Sequence, residues 1–151
     1  EARAEELELV ALLHKATELY TNFDNITVTI KESTPRIFVQ SDHSQLLRVF
    51  TNLLENAKQA IPQGTEGRIS VSISIQDGHA LITVADNGAG IPDDVVKKMF
   101  QPYFTTKSSG TGLGLAMTKK IIEFWKGEIW FDTKEGEGTT FYIKLPLIEQ
   151  G

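Results

Sequence analysis

A segment of alternating apolar and polar residues, followed by a two-residue turn, is the feature that most constrains the fold of this chain. Single serines separate four apolar residues, Ile69, Val71, Ile73 and Ile75. A period of two places all four on one face of a β-strand. Asp77-Gly78, a dipeptide typical of tight hairpins, follows, and residues 79–85 are predicted to form the returning strand. The chain must therefore contain a hairpin with one apolar face, which needs a covering layer.

The segments before this hairpin supply part of that layer. Apolar residues at helical spacing predict a helix over residues 4–20, and alternation predicts strands over 26–30 and 36–40. Asp42 stands three residues before Gln45, a variant of the capping box that opens a helix. This helix carries its apolar residues along one face: Leu46, Phe50, Leu53, Ala57 and Ile61.

The segments after the hairpin complete the predicted fold. We expect a short helix over residues 93–99, then a helix over 113–125 that Gly127 closes as a C-terminal cap. Two strands, 128–133 and 139–145, end the pattern. The order predicts an α/β fold, a two-layer sandwich whose mixed, mostly antiparallel sheet carries helices on one face.

Composition and missing motifs exclude several classes of protein. The 151 residues are 40% hydrophobic and 23% charged, which indicates one globular domain. A net charge of -5 argues against nucleic-acid binding through bulk charge, and without cysteine there is no disulfide or thiolate zinc site. The sequence contains neither a P-loop nor a glycine-rich Rossmann fingerprint.

Four clusters carry candidate chemistry. Asn52 and Asn56 share one face of the second helix, where two solvated amides are the simpler interpretation. Asp86 ends a strand and precedes Gly88 and Gly90, which form either a plain turn or a close approach to a flat ligand. The other two clusters are residues 100–107, an aromatic segment that resembles a lid, and the glycine-rich residues 110–115, which run into a helix N-terminus suited to an anion.

Taken in this order, the clusters resemble the N box, first glycine box, F box and second glycine box of histidine-kinase catalytic and ATP-binding domains. These domains belong to the superfamily of gyrase, heat-shock chaperone and mismatch-repair ATPases. Residues 136–141 match the closing glycine strand, and the resemblance covers roughly residues 26–147. It implies a Bergerat-type ATP-binding fold.

The resemblance implies a role for each matching residue. Asn56 would ligate Mg²⁺, Asp86 would accept a hydrogen bond from the adenine amino group of ATP, and Asn52, Asn56 and Lys107 would form the catalytic set. Either Lys58 or Lys107 would neutralise phosphate charge, since the family often has lysine where this chain has Gln59. The full expected nucleotide site is Asn52, Asn56, Lys58, Asp86, Gly88, Gly90, Ile91, Phe100, Lys107, Gly110, Thr111, Gly112, Leu113, Gly114, Leu115 and Thr139.

Other activities within the superfamily stay open as alternatives: a stand-alone ATPase, a serine kinase that inhibits sigma factors, or a degenerate nucleotide sensor. Hydrolytic members resemble one another in having glutamate at the position of Asn52, and an amide cannot act as that base. Glu55 is about 100° around the helix from Asn56 and should point elsewhere. Phosphoryl transfer to a protein is therefore favoured over hydrolysis.

The resemblance also implies parts that lie outside this chain. We expect residues 1–22 to be a helix that ends the connection to a missing dimerisation and phosphoacceptor domain, and residues 23–151 to be the catalytic domain. The expected partners are that domain, in a homodimer, and a response regulator protein. We expect a cytoplasmic domain, and the sequence leaves open an inner-membrane anchor in a full-length protein.

Overall fold

The computed structural model describes residues 3–20, 25–34, 36–101 and 114–148. Over these residues the elements follow in the order β1 (Glu5–Glu8), α1 (Leu9–Glu18), β2 (Ile26–Glu32), β3 (Phe38–Ser41), α2 (His43–Ala60), β4 (Gly67–Gln76), β5 (His79–Asp86), α3 (Asp93–Val96), α4 (Gly114–Phe124), β6 (Glu128–Lys134) and β7 (Gly138–Pro146).

The main sheet has five strands in the order β2-β4-β5-β7-β6. β2 and β4 are parallel, and every other neighbouring pair is antiparallel. The β4–β5 hairpin turns at Asp77 and Gly78, whose φ angles of 51° and 76° are those of the expected tight turn. The mixed, mostly antiparallel sheet predicted from the sequence is therefore confirmed.

Helices cover one face of this sheet. Residues Ile69, Ile82 and Ile143 are each 1% exposed and face α1, α2 and α4. The residues that alternate with them face the open side of the sheet and are serines in β4 but larger side chains such as Leu81 and Tyr142 in β5 and β7. The predicted apolar stripe of α2 is buried in this layer. Asp42 caps α2 by accepting a hydrogen bond from the Gln45 backbone N–H at 2.9 Å, as predicted.

The N-terminal segment differs from the predicted helix over residues 4–20. Residues 5–8 form strand β1, which pairs antiparallel with β3 in a separate two-stranded sheet. The helix starts only at Leu9, and its buried residues join the same core as α2. The role of this segment as a connection to another domain stays a prediction. Of the helices described, none combines the length and the apolar character that a membrane crossing requires.

The end of α4 also differs from prediction. The left-handed residue after the helix is Lys126, with a φ of 67°, and not Gly127. Lys126 N–H donates to the Glu123 carbonyl and Gly127 N–H to the Ile122 carbonyl, the two hydrogen bonds of a Schellman motif. A glycine is needed at position 127 because a Cβ there would overlap the Lys144 carbonyl oxygen.

Candidate functional site

A cavity of about 430 Å³ lies between the C-terminal half of α2, the loop after β5, and β7. This volume is within the range of small-molecule sites. Five of the residues predicted from the sequence line it: Asn56, Asp86, Gly90, Ile91 and Thr139. Seven further lining residues were not predicted, and most are apolar: Gln59, Ala60, Ala89, Pro92, Val95, Met99 and Phe141.

Asp86 is the one charged group among these described lining residues. Its Oδ1 accepts hydrogen bonds from the backbone N–H groups of Gly88 at 2.8 Å and Thr139 at 3.3 Å. Among the described residues, none donates to Oδ2. Burial raises the pKa of Asp86, and the two backbone hydrogen bonds offset part of that rise. An apolar cavity with one fixed acceptor suits a flat ligand that donates an N–H group.

Threonine hydroxyls fix the strand ends beside Asp86. Thr139 is 5% exposed, and its Oγ1 lies 2.8 Å from the Oγ1 of Thr133. Thr133 Oγ1 also accepts from the Ile91 backbone N–H at 2.9 Å. These bonds tie the loop after β5 to the β6–β7 hairpin, so the cavity wall is held from two sides.

The two glycines after Asp86 serve packing in the described structure. A Cβ on Gly88 would lie 2.5 Å from the Ala60 carbonyl oxygen at the end of α2. Gly90 has a φ of 75°, and a Cβ there would overlap the Lys134 carbonyl oxygen. The sequence-based expectation was close approach to a ligand, and of the two only Gly90 lines the cavity.

Asn52 and Asn56 share a face of α2 as expected, but they have different surroundings. Asn56 lines the cavity. Asn52 donates from Nδ2 to the Thr118 hydroxyl at 3.0 Å. Its side chain also packs closely on Gly114, since a Cβ added there would lie 2.6 Å from Asn52 Oδ1. Asn52 therefore holds the first turn of α4 against α2.

Three further candidates that the structure describes, Lys58, Phe100 and Leu115, do not line the cavity. Lys58 is about 200° around α2 from Asn56 and does not line the cavity, whereas Gln59 does. Phe100 packs on Phe131, with ring centroids 5.7 Å apart. Leu115 packs against the core. The remaining candidates, Lys107, Gly110, Thr111, Gly112 and Leu113, lie outside the described residues.

Glu55 points away from Asn56, as the helical geometry predicts. Its Oε1 accepts from the Tyr20 hydroxyl at 3.3 Å, and its Oε2 accepts from Gln59 Nε2 at 2.9 Å. The carboxylate is therefore held on the flank of α2.

The described residues offer few ligands for a metal ion. The described residues contain no group of three or more histidine, cysteine or acidic side chains that could hold one. Asn56 is the residue with a side-chain amide oxygen that lines the cavity on the α2 face expected for the metal ligand. A hard cation that keeps most of its waters and is shared with ligand phosphates fits such a single amide oxygen.

Comparisons with known proteins agree with this geometry. Residues 41–149 match the model of the family described as histidine kinase-, DNA gyrase B- and HSP90-like ATPases. Sporulation kinase E of Bacillus subtilis (strain 168) is 40% identical over 129 residues, which are 83% of this chain and 17% of that protein. Sensor histidine kinase ZraS of Escherichia coli (strain K12) is 40% identical over 141 residues, 93% of this chain and 28% of that protein.

Solved structures give the same result. The nucleotide-free catalytic domain of histidine kinase ThkA is 30% identical, with a TM-score of 0.84 and 95% of each chain covered. The structure of ThkA in complex with response regulator protein TrrA has a TM-score of 0.80 at 26% identity, and covers 97% of this chain and 42% of that chain. This chain spans 17% and 28% of the two curated relatives named above.

Proposed function

The chain belongs to the family of histidine kinase-, DNA gyrase B- and HSP90-like ATPases, and from this premise we propose that it binds ATP and Mg²⁺ and donates the γ-phosphoryl group to a histidine on another domain. The observation that carries the proposal is Asp86, a half-buried carboxylate at the wall of an apolar cavity, with one oxygen fixed by two backbone N–H groups.

Asp86 would select the adenine base. Oδ1 already accepts two hydrogen bonds, and the described residues offer no donor to Oδ2. The exocyclic amino group of adenine can donate to this oxygen. Guanine has a carbonyl at the corresponding position, so two hydrogen-bond acceptors would face each other. Apolar side chains such as Ile91, Met99 and Phe141 would cover the faces of the base.

Asn56 would hold the cation. When bound, Mg²⁺ would neutralise phosphate charge, which is the main electrostatic requirement of phosphoryl transfer. Asn52, already fixed against α4, would keep the first turn of that helix in place beside α2. Lys107 remains our candidate for a phosphate-binding cation, because Lys58 does not line the cavity.

The position of Glu55 supports transfer over hydrolysis. A hydrolytic enzyme needs a base for the attacking water, and Asn52 and Asn56 are amides that cannot accept that proton. Glu55 is the carboxylate nearest to them in sequence, and Tyr20 and Gln59 hold it on the flank of the helix. The acceptor would instead be a histidine presented by a second domain.

The proposal extends to a longer protein. Because the chain spans only a fraction of its curated relatives, the dimerisation and phosphoacceptor domain, the homodimer and any inner-membrane anchor are proposals for a full-length protein. A response regulator is the proposed downstream partner, supported by the structure of the related ThkA with its response regulator TrrA.

Calorimetric titration of the chain with ATP, ADP and GTP in the presence of Mg²⁺ tests this function. We expect both adenine nucleotides to bind and GTP to bind at least about tenfold more weakly, the factor that one lost hydrogen bond to a charged group gives. Equal affinity for GTP would remove the role of Asp86. No binding of any nucleotide would overturn the proposal.

A further inference from the structure

A chain of side-chain hydrogen bonds connects the end of α1 to the cavity. The Tyr20 hydroxyl lies 3.3 Å from Glu55 Oε1 and 3.2 Å from the Thr51 carbonyl oxygen, so it is shared between two acceptors on α2. The other oxygen of the same carboxylate, Oε2, accepts from Gln59 Nε2 at 2.9 Å. Tyr20, Glu55 and Gln59 thus form one continuous series.

The last member of this series touches the cavity. Gln59 follows Glu55 by four residues, so the two side chains are neighbours on one helix face. Gln59 lines the cavity and Glu55 does not. Gln59 is exposed, and the hydrogen bond from its Nε2 to Glu55 orients the amide so that Oε1 is the acceptor left for a ligand.

The first member is anchored in the core. The Tyr20 ring packs against the buried cluster that contains α1 and α2. Burial and the nearby Glu55 carboxylate raise the pKa of Tyr20 to about 12, so the hydroxyl remains a proton donor throughout the physiological range.

We propose that Tyr20 is a positioning residue for the nucleotide site, which acts through Glu55 to hold Gln59 in place at the cavity wall. The inference rests on the proposed function, since it requires a nucleotide in the cavity. Tyr20 lies outside residues 41–149, the range that matches the family model. Glutamine is long and has many rotamers, so a side chain ordered before binding loses less entropy when the ligand arrives.

A double-mutant cycle distinguishes positioning from a general structural role. The variants are Tyr20→Phe, Gln59→Ala and the combination of both, and the measured quantity is the Kd for ADP by calorimetry. If Tyr20 acts through Gln59, removing its hydroxyl matters only while Gln59 is present. We expect each single variant to weaken ADP binding about three- to tenfold, as for one lost hydrogen bond, and the double variant to resemble Gln59→Ala alone.

Tyr142→Phe is the matched control. Tyr142 is stacked on Trp130 on the open face of the sheet and does not line the cavity, so the same change there should leave the Kd for ADP unaltered. Thermal unfolding of each variant reports on the fold. Glu55→Ala breaks the series one step nearer the cavity and replaces Tyr20→Phe in the cycle if that variant does not fold.

Each outcome decides between the two proposals. Fully additive losses in the double variant, or an unchanged Kd for Tyr20→Phe, overturn the positioning role while leaving nucleotide binding intact. A wild-type chain that does not bind ADP overturns the proposed function itself.

Discussion

At the scale of single residues, Asp86 makes the sharpest prediction. In Asp86→Asn, the side-chain oxygen must accept from Gly88 and Thr139, so the amide nitrogen takes the place of Oδ2. A donor would then face the donor of the adenine base. We expect this nearly isosteric change to cost about 1–3 kcal/mol of ATP binding, roughly ten- to a hundredfold in Kd by calorimetry.

The same substitution should not harm stability. Burial raises the pKa of Asp86 above its unfolded value, so its contribution to stability is present below the unfolded pKa and is lost as pH rises through the folded pKa. At neutral pH the native state therefore holds a partly desolvated charge, which costs stability. Asp86→Asn removes that cost, and we expect urea unfolding at pH 7 to give a stability equal to or above that of the wild type.

Asp77→Asn is the control for both measurements. Asp77 lies in the exposed β4–β5 turn, where asparagine before Gly78 is equally suited to the hairpin. It should change neither ATP affinity nor the stability to urea at pH 7. An Asp86→Asn protein that binds ATP as tightly as the wild type would contradict the adenine role.

Sequence reasoning identified the polar residues of the cavity better than its walls. Asp86 and Asn56 are polar residues that belong to clusters whose order along the chain matches the family pattern, so the sequence points to them. Val95 and Met99 give no such signal, because an apolar side chain that lines a cavity looks like a core residue in the sequence. The contact of Gly88 with Ala60, 28 positions earlier, depends on tertiary packing, so the sequence does not predict it.

At the scale of elements, the start of α1 shows why the first helix was predicted too long. Glu8 accepts hydrogen bonds from the backbone N–H groups of Val10 at 2.9 Å and Ala11 at 3.1 Å, and so begins the helix at Leu9. It also accepts from Ile37 at 2.9 Å, in the segment that leads into β3. The strand partner of residues 5–8 lies about thirty positions away, and helical spacing within the segment carries no information about it.

Removing the Glu8 carboxylate should therefore destabilise the protein. Glu8→Ala leaves three backbone N–H groups without their acceptor, and we expect a loss of about 1–3 kcal/mol in denaturant unfolding. Glu6→Ala is the matched control, since Glu6 is exposed in the same strand and should be within about 0.5 kcal/mol of the wild type. Equal effects of the two changes would contradict the capping role.

At the end of α4, we expect a substitution to stabilise the protein. Lys126 adopts a left-handed φ of 67°, which costs a side-chain-bearing residue about 1 kcal/mol relative to glycine. Lys126→Gly should raise the melting temperature by a few degrees. Lys120→Gly, the same change at an exposed position inside α4, should lower stability by about 1 kcal/mol. A destabilised Lys126→Gly protein would count against the Schellman assignment.

At the scale of the whole molecule, the parts of the proposed site come from distant segments. α2 supplies Asn56 and Gln59, β5 supplies Asp86 and β7 supplies Thr139. The register that pairs Asp86 with Thr139 brings the last two together across neighbouring antiparallel strands. Alternation and turn signals predicted these strands, and the order of the motifs predicted that they would meet. The register itself follows from packing of the core face, so it required the structure.

The last prediction concerns the three histidines of this chain as candidate acceptors of the phosphoryl group. His14 pairs with Glu32 at 2.8 Å and His79 Nδ1 lies 2.9 Å from the Asp77 carbonyl oxygen, while His43 begins α2 at the end away from Asn56. None of them lines the described cavity. Phosphoryl transfer needs an acceptor in line with the γ-phosphate, so we expect no labelled histidine when this chain is incubated with γ-labelled ATP and Mg²⁺.

Adding an acceptor should change that result. A dimerisation and phosphoacceptor domain supplied in trans from a related kinase should become labelled on its histidine by the wild-type chain. Asn56→Ala should abolish this labelling, because its amide is the proposed cation ligand, whereas Asp77→Asn should preserve it. Label on His14, His43 or His79 of the isolated chain would show that the acceptor lies within this chain. The proposal that the acceptor histidine lies on another domain would then be wrong.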